Sequence, residues 1–485
     1  MIEYDNYDAL GLADLVRRRE VSPTELLDEA FARTDAVNPT INAIVWEERD
    51  LARKAIHDGL PSGAFSGVPF VVKDILATVA GFKSTNGSRL FQDVVATADS
   101  ELLRRHKEAG FVIFGMTTTP ELGMNPTAEA LVYGDPTRNP WNLALSSGGS
   151  SGGAAAAVAA GIIPLAHASD GGGSIRVPAS ACGLFGLKPT RGRNPMGPKL
   201  GETWGGLGVE HAVSRSVRDS ALLLDLTQGM DPGAPYSAPE IEGSYLEASL
   251  RPSKAQLRVG LIENAPGGFP VDPACIAAVQ ATGKLCEELG HIVERAAYPD
   301  YDFEAYFLAH CLMMAAGSAA FMAAGEAMLG RPLTENEVEP ATQDAARWAA
   351  TVSATDYGIA VSRFHALGRQ TAQLLERFDV LLTPSLMTPP PRLGYIDTTL
   401  PFLDLRRRII AYTGFLPLAN YTGLPAMSVP LNWSEAGIPI GSHFMGKWGA
   451  ERTLFDLAGQ LETAQPWFNV RSPIARELAA ARGAP

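Results

Sequence analysis

The chain sets two serines in two glycine-dense stretches. The first is Ser146-Ser147-Gly148-Gly149-Ser150-Ser151-Gly152-Gly153 and the second is Asp170-Gly171-Gly172-Gly173-Ser174-Ile175-Arg176. Glycine at this density marks backbone that must take φ > 0 or approach something closely. The alanine run Ala154 to Ala160 between them predicts a helix that packs closely, because its side chains are small. The span from Ser150 to Ser174 has room for that helix and a strand, which together return the chain to one place. A serine among bare N–H groups is what acyl transfer needs: a nucleophile beside donors for the oxyanion that forms.

Elsewhere the chain alternates strand and helix signals. Ser22-Pro23-Thr24-Glu25 reads as a helix start with a capping box, and Asn38-Pro39 as its end. Val68 to Val72 is a continuous apolar run, a buried strand finishing at Lys73-Asp74. Asp99 to Ala109 predicts a helix stopped by Gly110, followed by a strand over Phe111 to Phe114. Leu257 to Ile262, a helix capped by Asp272-Pro273 and ended by Gly290, and Ile292-Val293 form a βαβ unit with parallel strands. Its helix carries Ile276, Val279 and Cys286 near one face. Phe378 to Leu382, Ala426 to Val429 and Ile440 to Met445 are further strands. The alternation predicts an α/β protein with a mixed, largely parallel sheet. Thr383 to Pro391 reads as a loop, Pro232 to Ser253 as the weakest candidate for a domain boundary, and Phe307 to Met328 as a core-facing helix.

Composition narrows the function. A net charge of −13 argues against general electrostatic attraction to nucleic acid or an anionic membrane. The four cysteines, Cys182, Cys275, Cys286 and Cys311, form no C-x-x-C pair, so a zinc site or disulfide framework has no support. The first residues lack the basic and apolar regions of a signal peptide, and the run Ala154 to Ala168 is too short to span a bilayer. The expectation is a soluble, cytoplasmic protein.

Three readings of the glycine clusters compete. A phosphate loop needs Lys-Ser or Lys-Thr after the glycines, and neither cluster has it. Gly148-Gly149-Ser150-Ser151-Gly152 fits the G-x-S-x-G elbow of α/β-hydrolases, an esterase-type reading with Ser150 as nucleophile. That elbow needs a strand just before the serine, where Asn139-Pro140-Trp141-Asn142 and two more serines read as loop. It also needs a downstream acid and histidine. The third reading uses both clusters, with Lys73 at the end of a buried strand as a base.

Read in order, five segments resemble the blocks of the amidase signature hydrolases: Gly67 to Asp74, Arg138 to Asn142, Gly148 to Gly153, Asp170 to Pro178 and Gly186 to Thr190. The likeness covers nearly the whole chain and is strongest from Phe65 to Arg193. Within the family the chain looks most like its soluble hydrolases of small synthetic amides. The resemblance implies one α/β/α domain over residues 1–485, built on a mixed sheet of about eleven strands. Residues 65–193 would form the catalytic core, and residues 254–470 would complete the sheet and the substrate pocket. No cofactor and no metal are implied.

The resemblance also assigns roles. Ser174 matches the acylated nucleophile, Ser150 a bridging serine on a cis peptide, and Lys73 the terminal base. Lysine can serve there only if burial lowers its pKa. The N–H groups of Gly171, Gly172, Gly173 and Ser174 would face the oxyanion, with Ser151, Asp170 and Arg176 as structural support. Gly171 stands where the family more often has a branched residue, which would loosen this loop. Met124, Asn264 and Cys311 fall at substrate-pocket positions. The implied activity is hydrolysis of amide C–N bonds, with carbamates (urethanes) and esters as further substrates. A glutamine-hydrolysing subunit of a tRNA-dependent amidotransferase is the main alternative, and a non-enzymatic binding protein is another. The expected partners are a small amide or carbamate and a second copy in a homodimer, with no nucleic acid and no membrane.

Overall fold

The computed structural model describes residues 3–253 and 255–482. Lys254, the first residue of the expected C-terminal segment, and the extreme ends of the expected 1–485 domain lie outside the described residues. The strands in chain order are β1 (Ile44–Val45), β2 (Pro69–Lys73), β3 (Val112–Thr117), β4 (Arg138–Asn139), β5 (Asn142–Ser146), β6 (Leu165–Asp170) and β7 (Phe185–Lys188). They continue with β8 (Val209–Ser214), β9 (Arg258–Leu261), β10 (Ile292–Arg295), β11 (Val380–Pro384), β12 (Ala426–Trp433) and β13 (Pro439–Gly446).

Eight strands form the main sheet in the order β10-β9-β11-β13-β12-β7-β8-β6, and a second sheet has the order β1-β3-β2. β2 runs beside β6 with no backbone ladder between them. Side chains bridge that seam instead: the Lys73 amide donates to His167 Nδ1 at 3.3 Å. The main sheet therefore holds eight strands rather than the expected eleven or so, with three more in the second sheet and β4-β5 apart as a pair.

The sheet is mixed, as the alternation predicts, but it is not largely parallel. β10–β9 and β9–β11 are parallel, which bears out the βαβ unit. Every other pairing in the main sheet is antiparallel. Alternation of helix and strand signals does not fix which strands become neighbours. A turn closed by Ser434 N–H to the Ile438 carbonyl folds β12 directly back onto β13.

Local signals mostly hold. Ser22 caps the helix Pro23–Ile41 with the full capping box. That helix runs past Asn38-Pro39 with Pro39 inside it, and Asn42 in the left-handed region ends it. In the helix Pro273–Glu288 the buried face is Cys275, Val279 and Cys286, with Ile276 at its margin. The segment Pro232 to Ser253 is not a linker. Its helix Tyr245–Leu250 packs on the helices Val217–Thr227 and Glu451–Ala464, and Tyr245 is fully buried. Thr383 and Pro384 belong to β11 rather than to a loop.

The helix Phe303–Leu329 is long and apolar enough, by length and composition, to cross a membrane, and half of its most apolar window is buried in the protein. Its first half enters the core through Phe307, Cys311, Met314 and Ala315. Its far end is exposed at Met328 and Leu329.

Candidate active site

β2 is buried along its whole length and ends on Lys73, so the lysine amine is carried out of solvent by an apolar strand. Lys73 Nζ lies 2.6 Å from Ser150 Oγ and 2.9 Å from Ser169 Oγ. Burial pulls its pKa down from 10.5 to about 7, and the Asp170 and Glu210 carboxylates pull back upward. An ammonium buried among hydroxyls loses hydration that they do not replace, so the neutral amine gains.

Ser150 follows a cis Gly149–Ser150 peptide. A Cβ on Gly149 would lie 2.2 Å from the Thr127 backbone, so only glycine lets these strands of chain approach. Ser151 holds the next layer, its Oγ donating to the Ser169 carbonyl and accepting from the Ser169 amide.

Asp170 ends β6 and organises the loop that follows. Its carboxylate accepts from the amides of Gly173 (2.7 Å) and Ile175 (3.1 Å), from Arg176 Nε and Nη2, and from Asn420 Nδ2. The Arg176 guanidinium, set against the cost of burial, holds its pKa below the usual carboxylate range. Arg176 is itself fully buried and also donates to the Leu416 carbonyl.

The Gly173 amide is thus committed to Asp170, and Gly173 is buried, which removes it from the expected oxyanion donors. The amides of Gly171, Gly172 and Ser174 have no acceptor among the described residues, and all three residues are partly open. Gly171 does not loosen the loop. The space a side chain would occupy is filled by the indole of Trp204, 2.6 Å from a Cβ built on Gly171.

Ser174 stands where two pockets meet. One is walled by Ile75, Leu122, Val209 and Phe321 and includes Ser150. The other is lined by Met124, Asn125, His310, Met314 and Arg406. Trp204 and Gly123 line both. Met124 lines the second pocket, its sulfur accepting from Ser318 Oγ. Asn264 is exposed on the loop after β9 and lines neither pocket. Cys311 is buried beside Arg406 without itself lining the pocket; its neighbour His310 and the residue one turn on, Met314, line it. Successive helix positions turn by about 100°, so a shift of one residue trades pocket for core. Trp204, Asn125, His310 and Arg406 were not legible as site residues, and only the Gly205-Gly206 pair beside Trp204 hints at a special loop.

The segment before Ser150 is partly strand, since β5 pairs with β4 in a small hairpin away from the main sheet. Ser150 Oγ meets a lysine there and no histidine. Among the described residues no group of three or more His, Cys, Asp or Glu side chains is placed to hold a metal ion.

The family described as Amidase matches residues 25–455. The chain is 36% identical over 474 residues to the 6-aminohexanoate-cyclic-dimer hydrolase of Paenarthrobacter ureafaciens, covering 95% of each. A solved structure of 6-aminohexanoate cyclic dimer hydrolase superposes with a TM-score of 0.91 at 34% identity, covering 98% of this chain and 99% of that one. A bacterial aryl acylamidase of the amidase signature family gives 0.86 at 28% identity, covering 99% of each.

Proposed function

Because this chain belongs to the amidase signature family and is an amide hydrolase, we propose that it cleaves its C–N bond through an acyl-enzyme on Ser174. In this reading Ser150 and Lys73 relay the proton. The observation that carries it is the 2.6 Å contact between Ser150 Oγ and a buried Lys73 amine whose pKa is about 7.

A serine hydroxyl is a weak nucleophile until a base takes its proton. The neutral Lys73 amine donates one N–H to Ser169 and turns its lone pair to Ser150. As Ser174 Oγ attacks the carbonyl carbon, its proton passes to Ser150 Oγ, and the Ser150 proton passes to Lys73. The tetrahedral oxyanion is met by the free amides of Gly171 and Gly172, with Ser174 N–H beside them. Each such donor is worth about 3–4 kcal/mol in the transition state. The intermediate collapses when the relay runs backward and protonates the leaving nitrogen. Water then attacks the ester by the same route and releases the acid.

Carbamates present the same carbonyl and amine leaving group, and esters a better one, so both are substrates in this account. An amine leaves only if protonated, whereas an activated phenolate does not need the proton. A panel of amides, carbamates and activated esters on wild type and Lys73→Ala therefore tests the relay. The variant should lose amide and carbamate turnover far more than turnover of a nitrophenyl ester. Equal loss on all three classes would contradict proton return through Lys73.

A further inference from the structure

We propose that the pocket between Ser174 and Arg406 is a subsite for a carboxylate carried at the end of an aliphatic arm of the substrate. The inference rests on the amide-hydrolase reading above and adds a substrate class to it.

The helix Phe402–Thr413 carries three consecutive arginines. Arg407 is paired with Glu304 at the surface, and Arg408 donates to the Tyr395 carbonyl. Arg406 turns inward with Ile409, Ile410 and Thr413, one face of the helix, and all four line the pocket. It is 7% exposed. Its Nη1 donates to the Met124 carbonyl at 2.6 Å, and its guanidinium lies beside the Cys311 thiol. Among the described residues no carboxylate lies within ion-pair distance of Arg406, and no acid lines the pocket. A buried guanidinium with no anion is an unfavourable arrangement that an anionic ligand relieves.

Two further polar groups converge on the same space. His310 is 5% exposed and its ring edge lies against Gly172, 3.2–3.4 Å from where a Cβ would stand. Its Nδ1 meets the Tyr421 hydroxyl at 3.1 Å, while Nε2 is buried with no partner among the described residues. If the hydroxyl donates to Nδ1, the Nε2 proton is a free donor beside Gly172 at the pocket wall. Asn125 also lines this pocket, its Oδ1 buried with no partner among the described residues. The remaining wall, Val177, Met314, Ile409 and Ile410, is apolar. Apolar sides and a cationic end match methylenes that terminate in a carboxylate, the group a guanidinium binds bidentately.

The test compares monoanilides of the linear dicarboxylic acids, from succinic to suberic, with anilides in which an isopropyl group replaces the carboxylate. On wild type, the best member of the series should exceed its neutral isostere in kcat/KM by about tenfold or more, as a charge-assisted pair gives. In Arg406→Met that ratio should fall to about one, and Arg406→Lys should keep part of it. A wild type that prefers the neutral anilide at every length overturns the subsite, and so does a ratio unchanged in Arg406→Met. Should the methionine variant not fold, calorimetry on Ser174→Ala reads the same preference as binding, expected about tenfold tighter for the acid. An enzyme that binds the acid with this preference yet cleaves neither anilide contradicts the hydrolytic reading while supporting the subsite.

Discussion

A Cβ on Gly171 and the ring atom Cζ3 of Trp204 would stand 2.6 Å apart, so the indole occupies the volume a side chain at position 171 would claim. The same ring is pressed from the other side by Gly317, whose added Cβ would lie 2.6 Å from Cδ1. Gly171 has no left-handed backbone, so alanine suits its φ and only the indole opposes it. The two glycines seat Trp204 where it lines both pockets beside Ser174.

Gly171→Ala should therefore lower kcat/KM by about tenfold or more by displacing the indole beside two oxyanion donors. In a Trp204→Ala background the same substitution should cost much less, because the obstructing ring is gone. Kinetics on the two single variants and the double variant give the coupling. Equal losses in both backgrounds would show that position 171 acts without Trp204.

The pH profile follows from Lys73. The working form is the neutral amine, and burial sets its pKa at about 7. kcat/KM should fall tenfold per unit as pH drops below about 7 and level off above it. His211 and His310 are held down at about 3 by burial and do not titrate in this window. Lys188 is also drawn to about 7, but its amine donates to the Pro189 carbonyl, so Lys188→Met should keep the acid limb. A profile flat from pH 8 to pH 5 would exclude a lysine base.

Much of this was legible because it is local. The capping box at Ser22, the buried run that delivers Lys73, and the glycine clusters around Ser150 and Ser174 each sit in a few consecutive residues. What was missed is tertiary. Trp204, His310 and Arg406 reach Ser174 from separate loops and helices, and no spacing in the sequence relates them. Gly173 looked like its neighbours until the Asp170 carboxylate claimed its amide. The sheet misled in the same way, since strand neighbours are set by packing and turns rather than by alternation.

Asp170 ties the nucleophile loop to the body of the protein. Asp170→Asn removes the charge facing the fully buried Arg176 and should destabilise by about 3–5 kcal/mol, measured by denaturant unfolding. The carboxylate is held below its ordinary 3.8. Its contribution is thus complete above that pH and is lost only as pH falls through the lower folded-state value. A loss under about 1 kcal/mol, the size of a surface pair, would mean that the loop is held by other contacts.

The most direct measurement is to react the enzyme with a fluorophosphonate and locate the adduct by peptide mass spectrometry. The account predicts one adduct per chain, on Ser174, formed faster as pH rises through about 7 and strongly slowed in Lys73→Ala. An adduct on Ser150, or labelling of Ser174 at the same rate without the lysine, would contradict it.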